Sequence, residues 1–365
     1  MGKMGISIYV EKSTEKEIFD YIDQAARYGF SRIFSCLLSV EDSKENIMAK
    51  FKKINDFAHE RGFEVIVDVS PRVFDTLGIS YKDLSFFKAI GADGIRLDMG
   101  FSGLEESLMT FNPENLKIEI NMSNNTHYID TIMDYMPKRE NLIACHNFYP
   151  HRYSGLNLEH FEKCTERFKA HGIRTAAFVT STGTDTFGPW PVGDGLPTLE
   201  SHRQLPIEVQ AKHFIAMGNI DDIIISNCYP SEAELLKISQ MRKDMVTFEV
   251  ALVESLPEIE TKIILEEMHF NRGDFSDNLI RSTQSRVKYK GHAFEVFNAP
   301  QKIKKGDIII ESSLYGHYAG ELQIALQDME NSGKSNVVGH IREEELFLLD
   351  YIKPWQKFSF VKQND

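Results

Sequence analysis

The first two-thirds of the chain repeats one pattern, a short apolar run that ends on a polar residue and is followed by a stretch with helical spacing. The polar residues at or near the ends of the eight runs are Glu11, Ser39, Asp68, Asp98, Glu119 with Asn121, His146 with Asn147, Thr180 and Asn227. Eight alternating strand–helix units predict an α/β protein with a (β/α)8 barrel of the TIM type. In that fold the active site lies at the C-terminal ends of the strands.

The pattern changes after about Lys243. The runs TFEVALV, KGDIIIES, GELQIAL and SNVVGHI are short and rich in β-formers, and their turns carry Gly, Asn or Asp. These features predict a small, mostly antiparallel β-barrel domain in which only 343–351 has a helical pattern. We therefore expect a catalytic barrel over 1–243 and a β domain over 244–365.

The charge and the apolar runs limit the partners. A formal net charge of −13 over 365 residues argues against a nucleic-acid binder, which needs a basic face, but leaves room for one small cationic pocket. No apolar run approaches the roughly 20 residues that cross a bilayer, and no secretory signal pattern is found at the start. We expect a cytoplasmic protein without membrane or nucleic-acid partners.

No sequence motif calls for a metal or a cofactor. The four cysteines, Cys36, Cys145, Cys164 and Cys228, form no CxxC pair or zinc-like spacing, and buried free thiols are expected. A phosphate loop, a GxGxxG dinucleotide motif and an HExxH motif are all missing from the sequence. The prediction is an enzyme without cofactor.

Four carboxylates, Asp98, Glu119, Asp68 and Glu11, fall at or near the ends of predicted strands. Neighbouring strands lie about 4.8 Å apart, so carboxyls on adjacent or next-adjacent strands reach the separations of glycosidases, about 5.5 Å or about 6.5–9.5 Å. Like charge and unequal burial would push two such pKa values apart and give one acid and one ionised group. The alternative for each single residue is a carboxylate that caps the next helix.

Asp98 is the first choice among these carboxylates, and Glu119 is its preferred partner. Alternation in the run Lys117–Asn121 puts Glu119 and Asn121 on one face, which we take as the barrel interior. Asp68 and Glu11 are substitutes or orienting groups. Arg96, close to Asp98, is expected to be a buried partner of a neighbouring carboxylate rather than a substrate ligand.

Further polar and aromatic residues are candidates for binding substrate, each with a structural alternative such as a buried histidine, a packing aromatic or a surface arginine. They are Asn121, His146, Asn147, Tyr149, Arg152 and Arg203 near the predicted barrel mouth, and Tyr315 and His317 in the β domain. Asn121 would bond to an N-acetyl group or a ring hydroxyl, and the arginines would bind an anionic group.

The runs GISIYVE, GIRLDMGF, CHNFYPHRYSGL, GLPTLESHR and SSLYGHYAGELQIAL resemble the MupG-type family over nearly the full chain. The resemblance implies a TIM-type barrel followed by a cyclophilin-like β domain. It also implies a cytoplasmic bacterial 6-phospho-N-acetylmuramidase, which splits N-acetylmuramic acid 6-phosphate from N-acetylglucosamine during cell-wall recycling. The partner is then a small phosphorylated sugar.

Our sequence-based hypothesis is therefore a glycoside hydrolase for a 6-phosphorylated amino-sugar disaccharide. Two other classes stay open: another barrel hydrolase or an aldolase, and a non-enzymatic protein that binds sugars or partners. The sequence shows no HxH pair and no obvious Schiff-base lysine at a strand end, which disfavours the second class. A homo-oligomer is an open alternative, and so are retaining and inverting mechanisms.

Overall fold

The computed structural model describes residues 2–38 and 42–363, so Ser39 lies outside the described residues. The chain forms two compact units. One comprises the chain up to Phe214 together with Gly218–Gln240, and the other comprises Ile215–Met217 together with the chain from Met241 onward. The division into a catalytic domain at 1–243 and a β domain at 244–365 stays a prediction.

The first unit is a closed barrel of eight parallel strands, each hydrogen-bonded to the next, with β8 closing onto β1. The strands are β1 (Met4–Ile8), β2 (Arg32–Cys36), β3 (Glu64–Val69), β4 (Gly94–Leu97), β5 (Lys117–Asn121), β6 (Leu142–Cys145), β7 (Arg174–Val179) and β8 (Asp222–Ile225). The predicted (β/α)8 barrel is confirmed. Because the strands run parallel, their C-terminal ends all lie at one end of the barrel, where active sites of this fold are found.

Helices follow the strands of the barrel. They are α1 (Glu15–Arg27), α2 (Lys44–His59), α3 (Pro71–Leu77), α4 (Ser85–Ala89), α5 (Leu104–Met109), α6 (Tyr128–Asp134), α7 (Leu158–Ala170), α8 (Ile207–Met217) and α9 (Glu232–Gln240), with short 3-10 turns at Arg139–Asn141 and Glu200–His202. The side chain of Thr14 accepts from Glu17 N at 3.3 Å while Thr14 N donates to Glu17 Oε2 at 2.7 Å. This capping box fixes the first residue of α1.

The second unit contains a nearly closed, mostly antiparallel sheet of seven strands in the order β10-β17-β9-β16-β13-β14-β11, and a separate β12–β15 pair. Its strands are β9 (Val246–Leu252), β10 (His269–Phe270), β11 (Leu279–Ser282), β12 (Lys302–Ile303), β13 (Asp307–Glu311), β14 (Leu322–Ala325), β15 (Met329–Glu330), β16 (Ser335–Ile341) and β17 (Lys357–Lys362). Alternate residues of β9, including Phe248 and Val250, enter its apolar core. The predicted β-rich unit is confirmed.

The helices of the second unit correct the sequence analysis in part. Two helices, α10 (Glu258–Glu266) and α11 (Gln284–Lys288), were not expected, whereas Glu343–Tyr351 is a 3-10 segment. The run TKIILEEMHF, which contains Ile263 and Ile264, predicts a strand because isoleucine favours strands. Both side chains are buried in the core from the face of a helix, so packing outweighs the local preference.

Candidate active site

A cavity of about 270 Å³ lies at the C-terminal ends of the barrel strands. It is lined by Cys36, Leu38, Asp68, Arg96, Asp98, Asn147, Phe148, Tyr149, Pro189 and Trp190. The charged members come from β3 and β4 and the residue after β4, and the aromatic members come from the loops after β6 and β7. We call this the charged cavity. Four predicted site residues, Asp68, Asp98, Asn147 and Tyr149, meet here.

One arginine connects the two carboxylates of the charged cavity. The β3–β4 register pairs Asp68 directly with Arg96, and Asp98 follows on the same strand end. Arg96 Nη1 donates to Asp68 Oδ1 at 2.6 Å and to Asp98 Oδ1 at 3.3 Å. Two oxygens bound to the same nitrogen can lie no more than about 6 Å apart, an upper limit that is compatible with the roughly 5.5 Å of retaining glycosidases.

The two carboxylates differ in their surroundings. Asp68 is buried, whereas 35% of the Asp98 side chain is exposed. Burial raises the pKa of Asp68 to about 7, Arg96 opposes this rise, and the negative charge of Asp98 adds to it. A carboxylic acid with such a pKa holds a proton near neutral pH, as a general acid must.

A chain of hydrogen bonds behind the cavity holds Arg96 in place. Arg96 Nη2 donates to Asn147 Oδ1, and Asn147 N donates to Ser123 Oγ at 2.7 Å. Ser123 Oγ lies 3.3 Å from His146 Nδ1, and His146 Nε2 lies 2.9 Å from Thr165 Oγ1. Thr165 donates its own hydroxyl proton to a backbone carbonyl, so His146 carries its proton on Nε2 and accepts from Ser123 on Nδ1.

His146 therefore positions other residues and does not line the charged cavity. Its ring is fully buried and stacks on Phe161 with centroids 4.4 Å apart. Burial lowers its pKa to about 3, so the ring is neutral. Substrate binding by His146 stays a prediction that these contacts do not support.

A second cavity of about 430 Å³ adjoins the same strand ends and shares Asp98 with the charged cavity. It is lined by Leu97, Asp98, Met99, Gly100, Phe101, Asn121, Asn124, Asn125, Thr126, Tyr128, His160 and Phe168. We call this the amide cavity. Asn121 donates to the backbone oxygen of Asp98 at 2.9 Å and accepts from Ser123 N at 3.0 Å. Asn121 thus fixes the loop that carries Asp98.

Glu119 points into the barrel interior, as the alternation predicted, but it does not line either cavity. Its side chain is fully buried and forms an ion pair with Arg32, the first residue of β2. Arg32 also bonds to Asp222 Oδ2 at 2.5 Å, and Arg174 Nη2 reaches the same oxygen at 2.6 Å. These residues, which we call the interior ion network, come largely from the starts of strands.

Three of the predicted site residues lie in loops after barrel strands and differ in their exposure and contacts. Glu11 lies on the turn after β1, where Lys50 Nζ is 3.2 Å from its Oε1, and it lines neither cavity. Arg152 is 60% exposed and lies 3.3 Å from Asp194 Oδ1. Tyr149 is partly buried and its backbone N donates to Pro197 O at 3.0 Å, which ties the loops after β6 and β7 together.

Arg203 holds the loops after β6 and β7 together through its hydrogen bonds. It is buried, and it donates to both oxygens of Glu200, at 2.7 Å from Nε and 2.6 Å from Nη2. Its Nη1 donates to the backbone oxygens of Tyr149, Asp194 and Gly195. Because these bonds use the guanidinium on every nitrogen, Arg203 organises the loop walls of the charged cavity, and the expected substrate contact gains no support.

The two candidates from the β domain lie in the 3-10 segment Ser313–Tyr318 of the second unit. Tyr315 Oη is 2.8 Å from Ser332 Oγ, and the ring of His317 packs edge-on against Tyr318. Both side chains are thus held by neighbours within their own unit, and their role in substrate binding stays a prediction.

Several residues of the site were not found from the sequence. Ser123, Trp190 and Cys36 carry no motif, and only the folded barrel brings them to the strand ends. Arg96 was expected as a partner of a carboxylate, and it contacts two. Over residues 2–38 and 42–363, no group of three or more His, Cys, Asp or Glu side chains is arranged to hold a metal ion. No helix in the same ranges is long and apolar enough to cross a bilayer.

A closed parallel barrel with two carboxylates at its C-terminal mouth is an arrangement that barrel glycoside hydrolases share with other barrel enzymes. Family models of the N-terminal and C-terminal parts of 6-phospho-N-acetylmuramidase match residues 4–240 and 246–361. The chain belongs to the 6-phospho-N-acetylmuramidase family.

Two solved structures are similar to this chain over almost its full length. The structure of an uncharacterized B. cereus protein is similar at a TM-score of 0.91 with 48% identity, over 99% of each chain. A conserved protein of unknown function from a locus in Enterococcus faecalis has a TM-score of 0.71 and 24% identity, over 99% of this chain and 97% of that chain, and shares the fold. Among curated proteins, none matches this chain.

Proposed function

We propose that this protein hydrolyses the glycosidic bond between N-acetylmuramic acid 6-phosphate and N-acetylglucosamine, as a step of cell-wall recycling in the bacterial cytoplasm. The family match supports this reaction. The observation on which the proposal depends is the pair Asp68–Asp98 bound to one nitrogen of Arg96 beside a cavity. Glu119, the preferred partner of Asp98 on sequence grounds, is buried in the interior ion network, so we assign the partner role to Asp68.

The roles of the pair follow from their environments. Asp68, whose pKa is raised by burial, protonates the leaving oxygen from Oδ2, because Oδ1 accepts from Arg96. Asp98 is the more exposed group, and it stabilises the positive charge that develops on the sugar ring, either by direct attack or by orienting the acetamide of the substrate. Arg96 holds both groups in register, and Tyr149 and Trp190 offer faces for a sugar ring.

The phosphate needs a cation. Of the two arginines predicted for this role, Arg203 is engaged by Glu200 and three carbonyls, whereas Arg152 is exposed and has one long contact to Asp194. Arg152 follows the residues of the β6 loop that line the charged cavity. We therefore propose that Arg152 binds the 6-phosphate by exchanging Asp194 for the ligand.

The substrate claim is tested with the disaccharide in its 6-phosphorylated and dephosphorylated forms, with release of N-acetylglucosamine as the signal. We expect the phosphorylated form to be hydrolysed with at least about tenfold higher kcat/KM, the effect of one charge-assisted contact. The Arg152→Ala variant should reduce this preference, while Arg139→Ala, on the 3-10 turn before β6, should leave it unchanged. Equal rates on both sugars would refute the phosphate claim.

The raised pKa of Asp68 predicts the pH profile. A general acid works only while protonated, so kcat/KM should fall as the pH rises through about 7. This fall should be measured with the phosphorylated disaccharide over about two pH units on either side of 7. It should vanish in the Asp68→Asn variant, whose amide does not titrate. A fall that persists unchanged in that variant would assign the acid to another group.

A further inference from the structure

The amide cavity has a chemistry that differs from that of the charged cavity although both meet at Asp98. Among the described residues that line it, none is a lysine or an arginine, and Asp98 is the only carboxylate. A phosphorylated sugar would find no lysine or arginine side chain on this lining to neutralise its phosphate. The charged cavity, by contrast, is lined by residues of the loop after β6, which also carries Arg152, the proposed phosphate ligand. The amide cavity is therefore suited to an uncharged ligand.

Apart from Asp98, the polar side chains of the amide cavity are amides, hydroxyls and one imidazole. Asn124 and Asn125 carry exposed side-chain amides, and each amide offers two donor protons and one acceptor oxygen. His160 Nε2 donates to Ser123 O at 2.8 Å, because a carbonyl only accepts, and Nδ1 is the other polar atom of its ring. Such groups pair with hydroxyl and acetamido groups.

Apolar surface completes the lining. Phe101 and Tyr128 contribute ring faces, and the Tyr128 hydroxyl is engaged by Glu106, so its ring is held in place. A few polar groups on an aromatic wall, in a volume of about 430 Å³, match the usual composition and size of small-molecule sites. Flat apolar rings also suit the faces of a pyranose.

We propose that the amide cavity binds the uncharged N-acetylhexosamine that leaves when the bond is cut, and that the charged cavity binds the phosphorylated half. The assignment rests on the proposed function and adds the orientation in which the disaccharide lies across the two cavities. The scissile bond then lies over Asp98, the residue common to both cavities. The leaving sugar then occupies a site whose lining offers a phosphate no lysine or arginine, so the phosphorylated product has no ionic partner there.

Product inhibition and direct binding test the assignment. In the full-length enzyme, N-acetylglucosamine should inhibit, and Asn125→Trp, which fills the amide cavity, should raise its inhibition constant at least tenfold. The inhibition constant of N-acetylmuramic acid 6-phosphate should stay within twofold of wild type. Glu166→Trp, at an exposed position of α7, is the matched control and should change neither constant. The double variant Asn124→Ala/Asn125→Ala, which adds no bulk, should weaken N-acetylglucosamine inhibition in the same direction.

Binding of N-acetylglucosamine to the same four proteins, followed by saturation-transfer NMR, separates this inference from the proposed reaction because it needs no turnover. One outcome is that no disaccharide is hydrolysed, while the saturation-transfer signal of N-acetylglucosamine is lost in Asn125→Trp and kept in Glu166→Trp. That outcome would support the binding site and refute the proposed reaction. An unchanged N-acetylglucosamine constant and signal in Asn125→Trp would overturn the inference. A rise in the inhibition constant of N-acetylmuramic acid 6-phosphate alone in Asn125→Trp would also overturn it.

Discussion

The Asp98→Asn variant is expected to lose about 10²–10⁴-fold in kcat on the phosphorylated disaccharide, the range that a positioned acid–base or charge-stabilising group contributes. Asparagine has nearly the shape of aspartate and still accepts from Arg96, so the cavity should keep its geometry. What it lacks is the negative charge that faces the developing positive charge of the sugar ring. The loss is measured as initial rates of N-acetylglucosamine release at saturating substrate.

A comparison with Asp68→Asn separates the two carboxylates. Asp68→Asn should lose a similar factor on the disaccharide, but it should recover much of its rate on a 4-nitrophenyl glycoside of the same phosphorylated sugar, whose leaving group needs no proton. Asp98→Asn should not recover. The matched control is Glu11→Gln, which also neutralises a carboxylate after a barrel strand but lies outside both cavities. Full activity of both aspartate variants would exclude the proposed pair.

The fold and both carboxylates of the proposed pair were accessible from the sequence, although Asp68 ranked behind Glu119, because strand ends depend on local order. Strand–helix alternation predicts the barrel, and a polar residue at a strand end predicts the mouth, as Asp68, Asp98, Asn147 and Tyr149 show. The sequence does not predict how far from the barrel mouth an inward side chain lies. Alternation puts Glu119 inside the barrel, but it does not say whether the side chain reaches the mouth or the lower layers.

That depth depends on partners from distant strands. Glu119 pairs with Arg32, which is 87 residues away along the chain and begins another strand. No local pattern indicates that contact, and Arg32 was not singled out in the sequence. The same limit applies to Arg203 and His146, because a sequence shows that a polar side chain is near the mouth but not whether its hydrogen bonds are already satisfied.

The Arg32→Leu variant is expected to show the largest loss of stability. Its guanidinium is fully buried and binds Glu119 and Asp222, and removing it leaves the carboxylate of Glu119 buried without its cation. Breaking a buried ion pair by removing one partner costs about 3–5 kcal/mol. For a unit of this size that corresponds to a fall in Tm on the order of 10 °C, which calorimetry or the circular dichroism melting curve would measure. Lys16→Leu, which breaks the exposed pair with Asp20, is the control and should leave Tm unchanged.

The double variant Arg32→Leu/Glu119→Leu tests whether unpaired charge causes the loss. A buried ion pair can often be replaced by apolar residues with little cost, so the second substitution should restore part of the Tm that the first removes. Asp222 keeps Arg174 in both variants, so the remaining network stays neutralised. The single variant Glu119→Gln then decides the role of this residue. It should lower Tm measurably while kcat stays close to that of the wild type. If kcat instead falls as far as in Asp98→Asn while Tm is unchanged, Glu119 belongs to the reaction and Asp68 loses the role proposed for it.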